Sequence, residues 1–208
     1  MKYIKYTYVD AATKRPVSAE PALKGPTHPE GITPTVADET TFQSGVPTFY
    51  GIADDDYELP NWMESSDTYG EIEPDEFYDA VKAELKRRVR VTRKSVEVGG
   101  IFLNGMPVRT DINSQNRINS MVGAININPE IDHIDFEALP DQWIVLSRDE
   151  GIAIGKAVGS HVQQCFSWAK QTCDIIDEID SIESAGAASK VIRDWTGTEF
   201  SQNDSESN

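Results

Sequence analysis

The sequence predicts an α+β fold: a small module of two β-hairpins and three helices, the last one long, preceded by an extended Pro-rich N-terminal arm. Three observations predict it. Asn104-Gly105 separates two apolar runs, Gly100 to Leu103 and Met106 to Thr110. A type I′ hairpin turn needs φ > 0 at both central residues, which Asn-Gly supplies. Apolar residues recur at helical steps over 74–94, 113–125 and 148–183. Pro16, Pro21, Pro26, Pro29, Pro34, Pro47 and Pro60 punctuate residues 16–60, and proline forbids helix interiors and holds its preceding residue extended.

In chain order, residues 1–15 read as one strand, on the aromatic and β-branched character of YIKYTYV. The proline-rich stretch reads as an arm without regular secondary structure. Phe42, Val46, Phe49, Tyr50 and Ile52 give it apolar side chains to lay on another surface. Composition divides the chain into 1–72, strand and arm; 73–183, the module; and 184–208, a polar tail. Pro74 suits a first helical position, Asp75 and Glu76 a first turn, and Phe77, Val81, Leu85 and Val89 follow at i+4 steps. Basic residues over 86–94 would complement the dipole at that helix's end. Asp111 stands as N-cap of the second helix, which carries Ile118, Met121, Val122 and Ile125. Residues 133–139 and 142–146 flank Pro140-Asp141 as a second hairpin. Ser147 and Glu150 then form a capping box for the third helix. In the otherwise patternless tail, Val191, Ile192 and Trp195 are placed to dock as a short segment.

The third helix carries two stripes. Ile154, Val158, His161, Cys165, Trp168, Thr172, Ile175, Ile179 and Ile182 alternate in steps of four and three, a period of 3.5. Gly151, Gly155 and Gly159 recur at i+4 steps, and each costs about 1 kcal/mol against alanine in a helix interior. That cost fits a close backbone approach. Two readings stand: the helix packs on its own hairpins, or it is a surface for self-association or a partner. Its acidic end, Asp174, Asp177, Glu178, Asp180 and Glu183, opposes the helix dipole. Pairing with Lys86–Lys94 would relieve it and would set the first and last helices parallel.

Charge excludes some functions. The net charge of −16 repels nucleic acid and anionic membranes, so neither is an expected partner. Residues 53–79 hold eleven acidic and no basic side chains, whereas 86–94 hold six basic and no acidic ones. A solvated helix with matched ends explains the split, as does a basic docking patch. No run of 18 apolar residues predicts a membrane span, and the N-terminus lacks an apolar core of the signal-peptide kind. Cys165 and Cys173 fall on one helix about 12 Å apart, too far for a mutual disulfide, which suits reduced thiols in a cytoplasm.

Chemistry is hard to find. His28, His133 and His161 share no metal-ligand spacing, and no nucleotide loop or nucleophile elbow is present. Asp54, Asp56 and Glu58 alternate as calcium ligands would, but Leu59 stands where the turn glycine belongs. Cys165 lies one turn from His161, without a third group to complete a nucleophilic site. No catalytic, cofactor-binding or metal-binding residue is expected. The residues expected to matter are those of the helix stripes, with Asn104, Gly105, Asp111, Ser147 and Glu150 as turn and caps.

One likeness is specific as an ensemble. Gly99-Gly100, Thr110-Asp111, Ser114-Gln115, Trp143, and the helix stretch Ala157-Val158, His161-Val162-Gln163, Cys165-Phe166 together resemble a domain of unknown function found in bacteriophage tail proteins, often described as tail fibre assembly proteins. The likeness covers about residues 85–182. It implies a non-enzymatic role at the phage tail, in the virion or in the host cytoplasm during assembly. It also implies a partner, a tail fibre or baseplate protein, with a possible homo-oligomer or trimer-matched complex. An assembly chaperone and a permanent fibre-to-baseplate subunit fit it equally. The acidic block 53–79 is no part of the likeness.

Overall fold

The computed structural model describes residues 1–6, 9–10, 26–27, 29–34, 49–58, 70–139 and 141–197. The fold is α+β. In order come β1 (Lys2–Tyr6), β2 (Val9–Asp10), β3 (Pro26–Thr27), β4 (Thr33–Pro34), β5 (Phe49–Ala53), β6 (Gly70–Ile72), α1 (Pro74–Val98), β7 (Ile101–Leu103), β8 (Met106–Val108), α2 (Ile112–Ile127), β9 (His133–Leu139), β10 (Gln142–Ser147), α3 (Arg148–Asp177) and α4 (Ile182–Asp194). By spatial proximity they fall into two compact units, Met1–Arg87 with Asp174–Val191, and Arg88–Cys173 with Ile192–Asn208. These boundaries differ from the division by composition at residues 72 and 183.

The first unit holds an antiparallel sheet of order β4-β5-β1-β6. The expected arm without regular structure is corrected here: β3, β4 and β5 all lie within 16–60. β5 pairs along its whole length with β1, Lys2 opposite Ala53 and Tyr6 opposite Phe49. Gly51 permits the approach of β4, since a Cβ there would meet the Thr33 carbonyl oxygen at 2.7 Å. Pro34 is tolerated because β4 is the sheet's edge among the described residues, where a missing ladder donor costs nothing. Ile4, Tyr6, Ile32 and Ala53 form the core with Tyr57 against it. Tyr3 meets the Phe77 ring at 4.7 Å and the Tyr78 ring at 5.8 Å. Phe42, Val46, the turn proline Pro140 and residues 198–208 lie outside the described residues.

In α1, Phe77, Val81, Leu85 and Val89 are fully buried, as their i+4 spacing requires. The helix runs to Val98, four residues past the expected end, so its basic cluster sits in its interior rather than its last turn. The acidic end of α3 is still relieved within the chain. Lys82 Nζ donates to the Asp177 carbonyl at 3.0 Å, and Lys86 Nζ pairs with the Asp177 carboxylate at 2.5 Å.

The second unit places β7–β8 and β9–β10 over α2 and α3. Val108, Ile118, Leu146, Ile154 and Val158 make its core, with Ile101, Leu103, Met106, Ile134, Phe136 and Ile144 packed against them. The tail also departs from expectation. Residues 184–194 are helical, opened by Ser181, whose Oγ accepts from the Ser184 N–H at 3.2 Å. Ala185, Ala188 and Ile192 are buried, while Trp195 stacks on Trp168 at 3.7 Å between ring centres. Val191, by contrast, is exposed.

Candidate interaction surface

The motif residues interlock. Asn104 and Gly105 have φ of 51° and 79°, the left-handed pair that the first hairpin requires. The Thr110 hydroxyl, fully buried, accepts from the Gly100 N–H at 2.8 Å and so ties the hairpin's exit to its entry. Asp111 Oδ1 accepts from the N–H groups of Asn113 and Ser114, both at 3.1 Å, capping α2. Ser114 Oγ donates to Asp111 Oδ2 at 2.6 Å, and Gln115 Nε2 donates to the Thr110 carbonyl at 2.7 Å. The Ser114 hydroxyl, with its own N–H, holds the Asp111 carboxyl below the usual carboxylate range. At α3, Glu150 Oε2 accepts from Ser147 N–H and Oγ, each at 2.7 Å, and the Glu150 N–H returns a bond to Ser147 Oγ at 3.3 Å.

The α3 seam is core. Ile154, Val158, Cys165, Trp168, Thr172 and Ile179 are buried in the protein itself, so the interface reading is corrected for these six: they offer no free surface. Ile175 is half-exposed, and Ile176 is fully buried in its place. The reason is geometric. A straight helix has 3.6 residues per turn and drifts about 20° per heptad from a 3.5 repeat, so the buried stripe slips by one residue along α3. Ile182 opens a separate helix, α4. The glycine stripe is likewise internal at two of its three positions. A Cβ on Gly151 would meet Ile134 Cδ1 at 2.9 Å and Ile125 Cδ1 at 3.0 Å, and one on Gly155 would overlap Val122 of α2. A Cβ on Gly159 would meet nothing within 4 Å among the described residues.

His161 also takes a structural post. Its Nε2 lies 3.1 Å from the Val96 carbonyl and 3.3 Å from that of Glu97. Carbonyls only accept, so Nε2 carries the proton and donates to carbonyls of the last turn of α1, that of Val96 also accepting from the Gly99 N–H at 3.1 Å. Arg93 lies over the Phe166 ring at 4.3 Å and pairs with Glu97. Going from Arg93 to Val96 on α1 thus means going back from Phe166 to His161 on α3: the helices run antiparallel, not parallel as the charge argument expects. Burial, and next the charge of Glu97, push the Cys165 thiol up, away from thiolate character. Cys165 Sγ lies 3.9 Å from His161 Nε2, but that nitrogen is committed as a donor, so it is no base for the thiol.

The feature that sequence reasoning missed is the outer side of the hairpins. β8 runs beside β9, and both hairpins turn alternate residues into one core. The other alternates point out. Phe102, Trp143 and Val145 are 80%, 65% and 67% exposed. Trp143 stands opposite Glu137, and Val145 opposite Asp135. Glu137 meets Arg117 only at 3.8 Å, and that arginine is itself exposed. Residues 143–146 are a continuous apolar run, so the sequence shows a strand there without showing which of its faces is inside.

Among the described residues no group of three or more His, Cys, Asp or Glu is placed to hold a metal, and no helix is long and apolar enough to cross a membrane. In comparisons with known proteins, residues 80–191 match the family model described as a domain of unknown function, DUF4376. No curated protein and no solved structure matches the chain.

Proposed function

The chain belongs to the DUF4376 family, and from that premise we propose that it is a non-enzymatic bacteriophage tail protein that docks on a tail fibre or baseplate protein during assembly. The observation that carries this reading is the motif ensemble and its likeness to phage tail fibre assembly proteins. Each motif residue resolved into a role here serves shape. Thr110, Asp111, Ser114 and Gln115 lock a hairpin to a helix, and His161 caps another helix. Such rigidity suits a module that presents a surface. Tail fibres are generally trimers, so the protein meets one as a matching oligomer or at a pseudo-symmetric site.

Co-expression with the fibre and baseplate proteins of the same phage, followed by co-purification, tests the reading. Retention of one of them at stoichiometric level is expected; retention of none defeats it. Mass spectrometry of purified virions then separates the two forms of the role. Abundant peptides assign a permanent connector, and their absence assigns a chaperone that leaves.

A further inference from the structure

We propose that the outer face and free edge of the β9–β10 hairpin bind an extended partner segment carrying lysine or arginine at alternate positions. The inference rests on the interaction-module reading above, and it names the surface and the chemistry of what binds there. Trp143 and Val145 project side by side from β10 with their apolar surface in water. Their cross-strand neighbours are the carboxylates Glu137 and Asp135. Asp135 has no cation beside it among the described residues, and Glu137, whose carboxylate accepts from the Asp141 N–H at 3.2 Å, has as cation only the loosely placed Arg117 at 3.8 Å. Within the chain, an aromatic ring beside a carboxylate gains little. Against a cationic side chain both gain, the ring through its π face and the carboxylate through its charge.

The strand next to the face is open as well. β10 pairs with β9 alone, so its outer edge has no ladder partner among the described residues, and an unpaired edge accepts an added strand. A strand added there lies about 4.8 Å from β10 and about 9.6 Å from β9. An arginine on it can lay its stem across Trp143 and bring its guanidinium to Glu137, as long cationic side chains do over apolar surface. A second cation two residues along reaches Asp135 past Val145. The net charge of −16 works against a second copy of this chain as the occupant and in favour of a basic partner.

The test uses the whole protein and a synthetic heptapeptide alternating arginine and threonine. Controls are the same peptide with glutamate for arginine, and one with proline at the threonine positions. The arginine–threonine peptide is expected to bind and to slow amide exchange over Gln142–Ser147, while both controls fail. Trp143→Ala and the pair Asp135→Asn with Glu137→Gln should each weaken binding about tenfold or more, in line with loss of a cation–π contact or of the paired charges. Trp143 and Asp135 are exposed and Glu137 is partly buried, and circular dichroism checks that the variants fold. Equal binding by Trp143→Ala, equal binding of the proline peptide, or protection outside β10 would overturn the proposal. So would self-association through this face that Trp143→Ala abolishes. A fibre partner retained by a protein that ignores the peptide rejects this surface alone. Peptide binding without any tail partner rejects the tail reading alone.

Discussion

At the scale of single residues, the two glycines Gly155 and Gly159 make opposite demands although they occupy one stripe. A Cβ at Gly155 overlaps Val122, a β-branched side chain with little freedom to move away, whereas a Cβ at Gly159 meets none of the described residues. Alanine gains about 1 kcal/mol of helix propensity at either site, but overpacking costs about 1–3 kcal/mol at Gly155 alone. Gly159→Ala should therefore raise the melting temperature and Gly155→Ala lower it, as a thermal melt of the pair will read. If both variants are stabilised, α2 and α3 are not in the close contact described. Asp111 offers a second check at this scale. Its carboxyl is held low by Ser114, so its contribution is present at neutral pH and is lost as pH falls through that lowered value. Asp111→Ala should cost about 1 kcal/mol at pH 7, the usual worth of an N-cap. It should narrow the gap to the wild type in acid, and equal losses at both pH values would rule the cap out.

At the scale of elements, legibility followed the range of the forces involved. The Asn104-Gly105 turn, the Asp111 cap and the Ser147–Glu150 box were readable because each is closed by residues within a few positions of one another. The pairing of Lys2–Tyr6 with Phe49–Ala53 was not, because the partner lies more than forty positions away behind a proline-rich stretch. The helix Ile182–Asp194 was missed because Ala185 and Ala188 bury a face too small to register as an apolar stripe. Along α3 the expected seam matches the buried side at Ile154, Val158, Cys165, Trp168 and Thr172 and slips by one at Ile175, where Ile176 is buried instead, since a fixed period of 3.5 ignores the drift of a straight helix. That slip makes a test. Val158→Asp buries an unpaired charge and should cost about 3–5 kcal/mol, enough to unfold a marginal domain. Ile175→Gln changes a half-exposed side chain without adding a carboxylate to the acidic end of α3 and should cost about 1 kcal/mol or less by chemical denaturation. A large loss at Ile175 would restore the strict heptad and the interface that goes with it.

At the scale of the whole molecule, charge is the dominant property. A net charge of −16 on 208 residues sets up a negative potential around the chain. That value already counts the cations that pair within the chain, such as Lys86 with Asp177 and Arg117 with Glu137, so pairing removes none of it. The potential is thus available to steer a cationic partner towards the protein and to keep like copies apart. Steering acts at the distance of the Debye length, about 30 Å at 0.01 M salt and about 8 Å at 0.15 M. Contacts made after docking, such as stacking on Trp143, are far less sensitive to it. Association with the proposed fibre or baseplate partner should therefore slow by about tenfold or more between those salt concentrations, while dissociation changes little. Surface plasmon resonance with the partner immobilised separates the two rates. A dissociation rate that rises with salt while association stays constant would place the partner's cations only in the formed contact, and the acidic surface would then have no part in recruitment.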